Sequence, residues 1–492
     1  MGSAVVWSGV ETVGAAGLAL VSAFVVARVV GPAAVGVGAV VVAVHVLVWV
    51  GVNALFADAV VREVGLGERE VSGAFWASVG VGCGAAVVQG GLGWVLWWVV
   101  GDGRLVAMAW VLAVPLPLVG AGGVVQGRLV RARRYRLLAA RPLVGQGLGT
   151  AVGVWAALHG AGAWALVAQQ AVTSGSGALV LLVGAGWWPG WGWDGRAVRR
   201  LLRVGVPLTV STLVLHGRYR VFLLLVGATA GPATLGVVHL AFRLGDSVRE
   251  MVSSALWRLV LPVVSARQAD LPGVRAAMER ALAVSGLVVF PVCGAVFLAI
   301  GPAVGLLLGP AWAAAGWAAL PLAAWAAWLF LGFPAGAAMV AVGAPGVALR
   351  AQVAGLALLV VGVLVLRPAG PLAAVGVWLA AQAATAPYVL GRSARRLGVP
   401  VWGLLRAGVA PLGLAVAGTA LAWVVPGVLP GAVPGPAVLL AERGLVGVAA
   451  MGPGLLWLAA RQRGRRFFPD ERKPTSCRLT RRSAGTLRRT TR

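Results

Sequence analysis

Two polar stripes interrupt long apolar stretches of this sequence. His239, Arg243, Asp246, Glu250, Ser253 and Trp257 advance by 4, 3, 4, 3 and 4 residues, the spacing of a single helix face. Thr209, Thr212, His216 and Arg220 advance by 3, 4 and 4, with Arg218 and Arg249 close to the two runs. An ionisable group at membrane depth costs at least about 2.5–3.5 kcal/mol on insertion scales, so it faces a protein interior or a wet cavity. Guanidinium groups bring fixed positive charge and paired N–H donors, which suit a phosphate-bearing anion. Carboxylates suit proton or cation exchange. Two facing stripes can line such a cavity. A self-neutralised Arg243/Asp246/Glu250 set that fastens helices together is the other reading, and His216 and His239 also read as buried hydrogen-bonding groups.

The elements that must carry these stripes are helices in a bilayer. Of 492 residues, 60% are hydrophobic and 11% charged, against about 25% charged in a soluble domain. There is too little charge to clothe soluble cores of this size. Apolar stretches of about 20 residues recur, each long enough to cross the hydrocarbon layer as a helix. They predict an all-α polytopic membrane protein of about fourteen helices, with apolar windows near 9–30, 36–58, 73–100, 105–126, 142–159, 163–186, 206–229, 236–262, 282–308, 312–340, 349–366, 371–390, 408–426 and 436–460. The first window lacks a basic leader and reads as a retained helix. The abundant Gly suits close helix approach in such a setting.

The formal charge of +27 is distributed as membrane topology would have it, not as a nucleic-acid footprint. Every second loop is basic, as in Arg128, Arg131, Arg133, Arg134, Arg136 and Arg141, or Arg196, Arg199, Arg200 and Arg203. The alternate loops are almost bare. The positive-inside rule then puts both termini in the cytoplasm of a multi-pass cell membrane protein. The segment 461–492 carries eleven Arg and Lys473 against Asp470 and Glu471 and reads as a basic, disordered tail that can lie on anionic lipid. Cys83, Cys293 and Cys477 are far apart, which predicts neither a disulfide framework nor a metal site. Trp94, Trp97, Trp98, Trp187, Trp188, Trp191 and Trp193 fall at expected helix ends, as an interfacial belt would have it. Gln89, Gln126, Gln169 and Gln170 are read as interhelical hydrogen-bonding groups.

An internal echo sharpens the topology. Gly31-Pro32-Ala33-Ala34-Val35-Gly36 precedes the second window and Gly231-Pro232-Ala233-Thr234-Leu235-Gly236 the eighth, six helices later. Two six-helix bundles follow, 1–190 and 191–391, with two further helices at 392–460. Parallel repeats place a substrate site between the halves.

With Ala27-Arg28-Val29-Val30-Gly31-Pro32, Gly231 to Gly236 followed by Ala241-Phe242-Arg243-Leu244, Leu261-Pro262-Val263-Val264-Ser265, and Leu307-Leu308-Gly309-Pro310-Ala311-Trp312 in order, the chain resembles the polysaccharide transporter family. These are the oligosaccharide flippases of the multidrug/oligosaccharidyl-lipid/polysaccharide exporter superfamily. The resemblance spans about residues 9 to 390. It implies a non-enzymatic flippase that needs no cofactor and moves a polyprenyl-diphosphate-linked oligosaccharide by alternating access, with membrane lipids and glycan polymerase or glycosyltransferases as partners and no nucleic acid. Arg28, Arg62, Arg218, Arg220, Arg243 and Arg249 are then the candidate substrate-binding residues, and Asp58, Asp246 and Glu250 the ion-coupling candidates. Arg218 and Arg220 stand where many relatives carry an acid in the seventh helix. Asp58 and Arg62, four apart, read equally as a helix-end ion pair. A multidrug exporter and a lipid-linked peptidoglycan precursor flippase are the alternatives. No GxxxxGK[ST], HExxH or nucleophile elbow occurs, so catalysis and ATP-driven transport are not expected.

Overall fold

The computed structural model describes residues 2–63, 65–265, 271–341, 346–398, 400–428 and 435–463, although not every side chain within them. The described residues form helices and short connections. In chain order the helices are α1 (Gly2–Val30), α2 (Pro32–Arg62), α3 (Glu68–Val100), α4 (Arg104–Ala113), α5 (Leu116–Arg131), α6 (Tyr135–Leu158), α7 (Trp164–Gly184), α8 (Gly195–Ser265), α9 (Leu271–Leu308), α10 (Ala313–Ala341), α11 (Gly346–Leu366), α12 (Pro371–Leu397), α13 (Val401–Val428) and α14 (Pro436–Arg463). Ten segments among the described residues are long and apolar enough to cross a membrane, so the chain is a multi-pass membrane protein. Of the basic tail, 464–492 lies outside the described residues.

Helices overrun the apolar windows that announced them. Apolarity marks the length inside hydrocarbon, whereas backbone hydrogen bonding continues into polar sequence. Thus α6 begins at Tyr135, which places Arg136 and Arg141 on the helix and not in the basic loop that their charge suggested. The window 105–126 divides into α4 and α5 around Val114 and Pro115, because proline has no N–H to offer the preceding turn. Pro142, Pro291 and Pro302 are accommodated inside helices, as bilayer helices permit.

The echoed hexapeptides adopt one conformation and meet each other. Gly31 has φ 83° and ψ 164°, and Gly231, where α8 bends, has φ 81° and ψ 168°. A side chain would strain both positions. Each turn leads into the start of its helix, and the two starts cross reciprocally. A Cβ on Gly36 would collide with the Pro232 carbonyl, and one on Gly236 with the Pro32 carbonyl. Small residues here let the backbones approach to contact distance.

Around this crossing lies a core drawn from both parts of the chain, with Ala27, Val35, Val237, Leu240, Val304, Leu308, Trp312 and Ala315 all buried. The Trp312 indole N–H donates to the Ala27 carbonyl at 3.1 Å. A second shared core joins Ala39, Val40 and Ala43 of α2 to Phe222, Phe242, Ala318, Leu359 and Trp378. At the opposite end, Val198 and Leu201 at the start of α8 pack with Phe56, Phe75, Val125 and Leu181. We call the crossing end the bare end and the opposite one, where Arg62, Arg128–Arg136 and Arg196–Arg203 lie, the basic end.

Candidate functional site

The bend at Gly231 folds the two stretches of α8 alongside one another and brings the described members of the two stripes together. Tyr219 and His239 are hydrogen-bonded, Oη to Nδ1, at 3.2 Å. Arg243, half-buried, reaches away from α8 and donates from Nη2 to the Ala19 carbonyl of α1 at 3.3 Å. Arg220 is also half-buried, its guanidinium 5.2 Å from the Tyr219 ring centre. An aromatic group of Tyr219, Phe222, Phe242 and Trp378 packs beside them, with Phe242 edge-on to Trp378 at 5.1 Å.

Arg218 lies across this aromatic group from α1. Its guanidinium sits 5.0 Å above the Trp378 ring of α12, a cation–π distance. Its Nη1 lies 3.0 Å from where a methyl group on Gly355 of α11 would sit. The half-buried arginines on the two stretches of α8 therefore address different neighbours, Arg243 turning to α1 and Arg218 to α11 and α12.

The remaining sequence candidates do not converge on this point. Arg28, at the end of α1, is exposed and donates from Nη1 to the Leu307 carbonyl of α9 at 2.7 Å. It fastens the bare end. Asp58 and Arg62 lie at the far end of α2, both exposed, and no ion pair among the described residues joins them. Helix α2 has 31 residues, so Arg28 and Arg62 stand about 45 Å apart along it. The side chains of Asp246, Arg249 and Glu250, like those of His216, Ser253 and Trp257, lie outside the described residues.

A fourth arginine at depth, Arg141, was not anticipated as a site. Arg141 of α6 is half-buried, donates to Asn53 Oδ1 of α2 at 2.9 Å and to Gln126 Oε1 of α5, and stands 5.4 Å over the Trp49 ring. Asn53 also donates to Gln126 at 3.5 Å. The available signal was the scarcity of polar residues in those spans, for Asn53 and Gln126 stand almost alone among apolar neighbours.

Deeper in α1–α7 the polar groups close on themselves. His45, fully buried, meets Gln89 Oε1 at 3.2 Å through Nδ1 and Ser174 Oγ at 3.1 Å through Nε2. The Gln89 amide also donates to the Ala109 carbonyl at 3.3 Å, and Gln170 donates to Ser174 at 3.2 Å. Ser22 donates to Gln169 at 2.8 Å. Gln89, Gln126 and Gln169 thus make the interhelical bonds expected of them, whereas Gln170 bonds within its own helix.

A family profile described as "Polysaccharide biosynthesis protein" matches residues 25–316. No curated protein sequence matches the chain. Among solved structures, the chain is similar to a lipid II flippase MurJ in an inward closed conformation, with TM-score 0.76 at 10% identity over 94% of this chain and 99% of that one. It is also similar to an inward-facing multidrug resistance MATE transporter of the MOP superfamily, with TM-score 0.58 at 16% identity over 80% of this chain and 98% of that one. At these identities the likeness is one of fold.

Proposed function

The chain belongs to the polysaccharide biosynthesis protein family, and from that premise we propose that it is a flippase carrying a polyprenyl-diphosphate-linked oligosaccharide across the cytoplasmic membrane. The observation that carries this reading is the set of half-buried arginines on α8. Arg220 lies against Tyr219, which is hydrogen-bonded to His239, and Arg243, one turn beyond His239, spans the gap to α1. A diphosphate needs fixed positive charge and several N–H donors in a shielded path. Arg243 gives one donor to the Ala19 carbonyl, which orients the guanidinium. Arg141, with its amide partners Asn53 and Gln126, is the corresponding group within α1–α7 and joins Arg218, Arg220 and Arg243 as a substrate-binding candidate. Arg28 and Arg62 act at the two ends of the path.

The two halves, 1–190 and 191–391, rock about the crossing of α2 and α8 to expose the path to each side in turn. The paired glycine turns and the reciprocal Gly36/Pro232 and Gly236/Pro32 contacts support such a pseudo-twofold arrangement. Both termini lie in the cytoplasm, the basic end facing inward. Asp58, Asp246 and Glu250 remain the ion-coupling candidates. The likeness to the MurJ fold over nearly the whole chain favours a second reading, in which the cargo is a lipid-linked peptidoglycan precursor.

The test is reconstitution into liposomes with fluorescent polyprenyl-diphosphate sugars, scoring protein-dependent transfer between leaflets. Transfer by the native protein and its loss in R220Q/R243Q are the expected results. Preference for the peptidoglycan precursor over an oligosaccharide selects the second reading. Efflux of organic cations without transfer of either lipid overturns both.

A further inference from the structure

We propose that the basic end carries a binding site for the phosphate headgroup of an anionic membrane phospholipid, separate from the transport path. The site is an open pocket of about 280 Å³ lined by α2, α3, α5 and the connections that follow α5 and α7, with Glu68, Arg128, Arg131, Arg134 and Trp187 among its walls. Three guanidiniums face one carboxylate there, a surplus of two positive charges.

The arginines are held in place in a way that leaves this surplus standing. Arg131 donates to the Val60 carbonyl at 3.2 Å. Arg134 donates to the carbonyls of Ala185 and Gly184 at 2.8 and 3.1 Å. A carbonyl fixes the plane of a guanidinium but carries no net charge, and each guanidinium has five N–H donors. Arg128 lies 4.2 Å over the Trp187 ring and pairs with Glu68 at 2.8 Å, while the Trp187 indole donates to the same carboxylate at 2.8 Å. Glu68 is 71% exposed and stands at the mouth, where an incoming phosphate competes with it for Arg128.

The surroundings say that the anion comes on a lipid. The connection from 185 to 194 is pinned to α3, with the Gly190 N–H donating to Ser72 and Trp76 donating to the Gly190 carbonyl. Trp191 stacks on Trp76 at 4.9 Å. Even so, Trp188, Trp191 and Trp193 are 78%, 93% and 66% exposed. Exposed indoles beside guanidiniums suit the headgroup layer of a bilayer, where an apolar ring with a polar edge is at home. Beyond them Arg196, Arg199 and Arg203 are exposed and have no acidic partner among the described residues. They extend the field that draws anionic lipid to the cavity.

The experiment uses the full chain in nanodiscs of phosphatidylcholine containing a minor fraction of phosphatidylglycerol, with retained lipid counted by native mass spectrometry. The native protein retains phosphatidylglycerol preferentially. R131Q/R134Q lowers that retention by on the order of tenfold, and R131K/R134K, which keeps the charge, restores most of it. E68Q frees Arg128 and raises retention a few-fold, a gain that misfolding cannot mimic. R199Q/R203Q, outside the cavity, has a small effect. An equal loss in R199Q/R203Q, no gain in E68Q, or displacement of the lipid by excess inorganic phosphate each overturns the site.

Discussion

Both ends of the molecule are closely packed, but they differ in what is added to the packing: neutral hydrogen bonds at one, ion pairs at the other. At the bare end the contacts between the two parts of the chain depend on shape and neutral hydrogen bonds: glycine against proline carbonyl, an indole on the Ala27 carbonyl, and a core that includes fully buried Ala315. Arg28 adds one guanidinium–carbonyl bond. At the basic end a buried core around Phe56, Phe75, Val198 and Leu201 and the close approach of Gly205 to the Leu55 carbonyl are joined by ionic fastening, with Arg200 bridging Glu63 and Glu70 at 3.0 and 2.9 Å and Arg128 pairing with Glu68. Close backbone packing tolerates almost no added volume but is indifferent to salt. Exposed ion pairs tolerate substitution and weaken as salt rises.

The largest effect that would break this contrast is steric. G36A or G236A places a methyl group into a proline carbonyl and is expected to cost about 1–3 kcal/mol or more, read as a lowered thermal midpoint in detergent together with lost transfer. G17A, where a Cβ would meet nothing, should be neutral or better by up to about 1 kcal/mol. Equal responses at Gly17 and Gly36 would remove the crossing from the account.

Next comes the closed polar network beside the crossing helices. H45L strips Gln89 and Ser174 of a shared partner in a fully buried place, for an expected loss of about 1–3 kcal/mol. W312F removes the N–H donated to Ala27 and leaves part of the indole's volume unfilled in a fully buried place at the bare end, for an expected loss of about 1–3 kcal/mol. Unfolding midpoints that do not move with salt in either variant would sharpen the contrast.

The smallest effects are the ionic ones. R200Q should cost less than about 1 kcal/mol, and the difference from the native protein should vanish at high salt, as denaturation at two ionic strengths would reveal. A charged exception at the bare end, Asp102 with Arg104, behaves likewise. The Arg104 donors hold the Asp102 carboxyl below its usual range. Its modest contribution is therefore present above the unfolded carboxylate range and fades as the pH falls through the lower folded value. The difference between D102N and the native protein should shrink on acidification.

Much of the architecture was legible without coordinates. The hydrophobic windows located the helices because desolvation of so many apolar residues leaves a chain of this composition no other solvent than lipid. The paired GPxxxG hexapeptides located equivalent turns because only glycine suits the backbone at Gly31 and Gly231. What spacing could not supply was direction. Arg218 and Arg220 stand two residues apart, close enough to be read as one cluster, yet two residues on a helix turn a side chain by about 200°, and Arg218 goes to α11 and α12. Arg141 was placed in a loop because polar sequence outside hydrocarbon gives no sign of where a helix begins.

By itself, then, the sequence determined the all-helical membrane fold, the repeated glycine turns and the alternation of bare and basic loops, all of them consequences of local composition and backbone freedom. The tertiary structure alone decided which polar groups meet: that His45 closes on Gln89 and Ser174, that Arg141 finds Asn53 and Gln126, and that Arg243 crosses to α1. Those pairings join residues up to 224 positions apart, and a helix face has a partner only once the helices have packed.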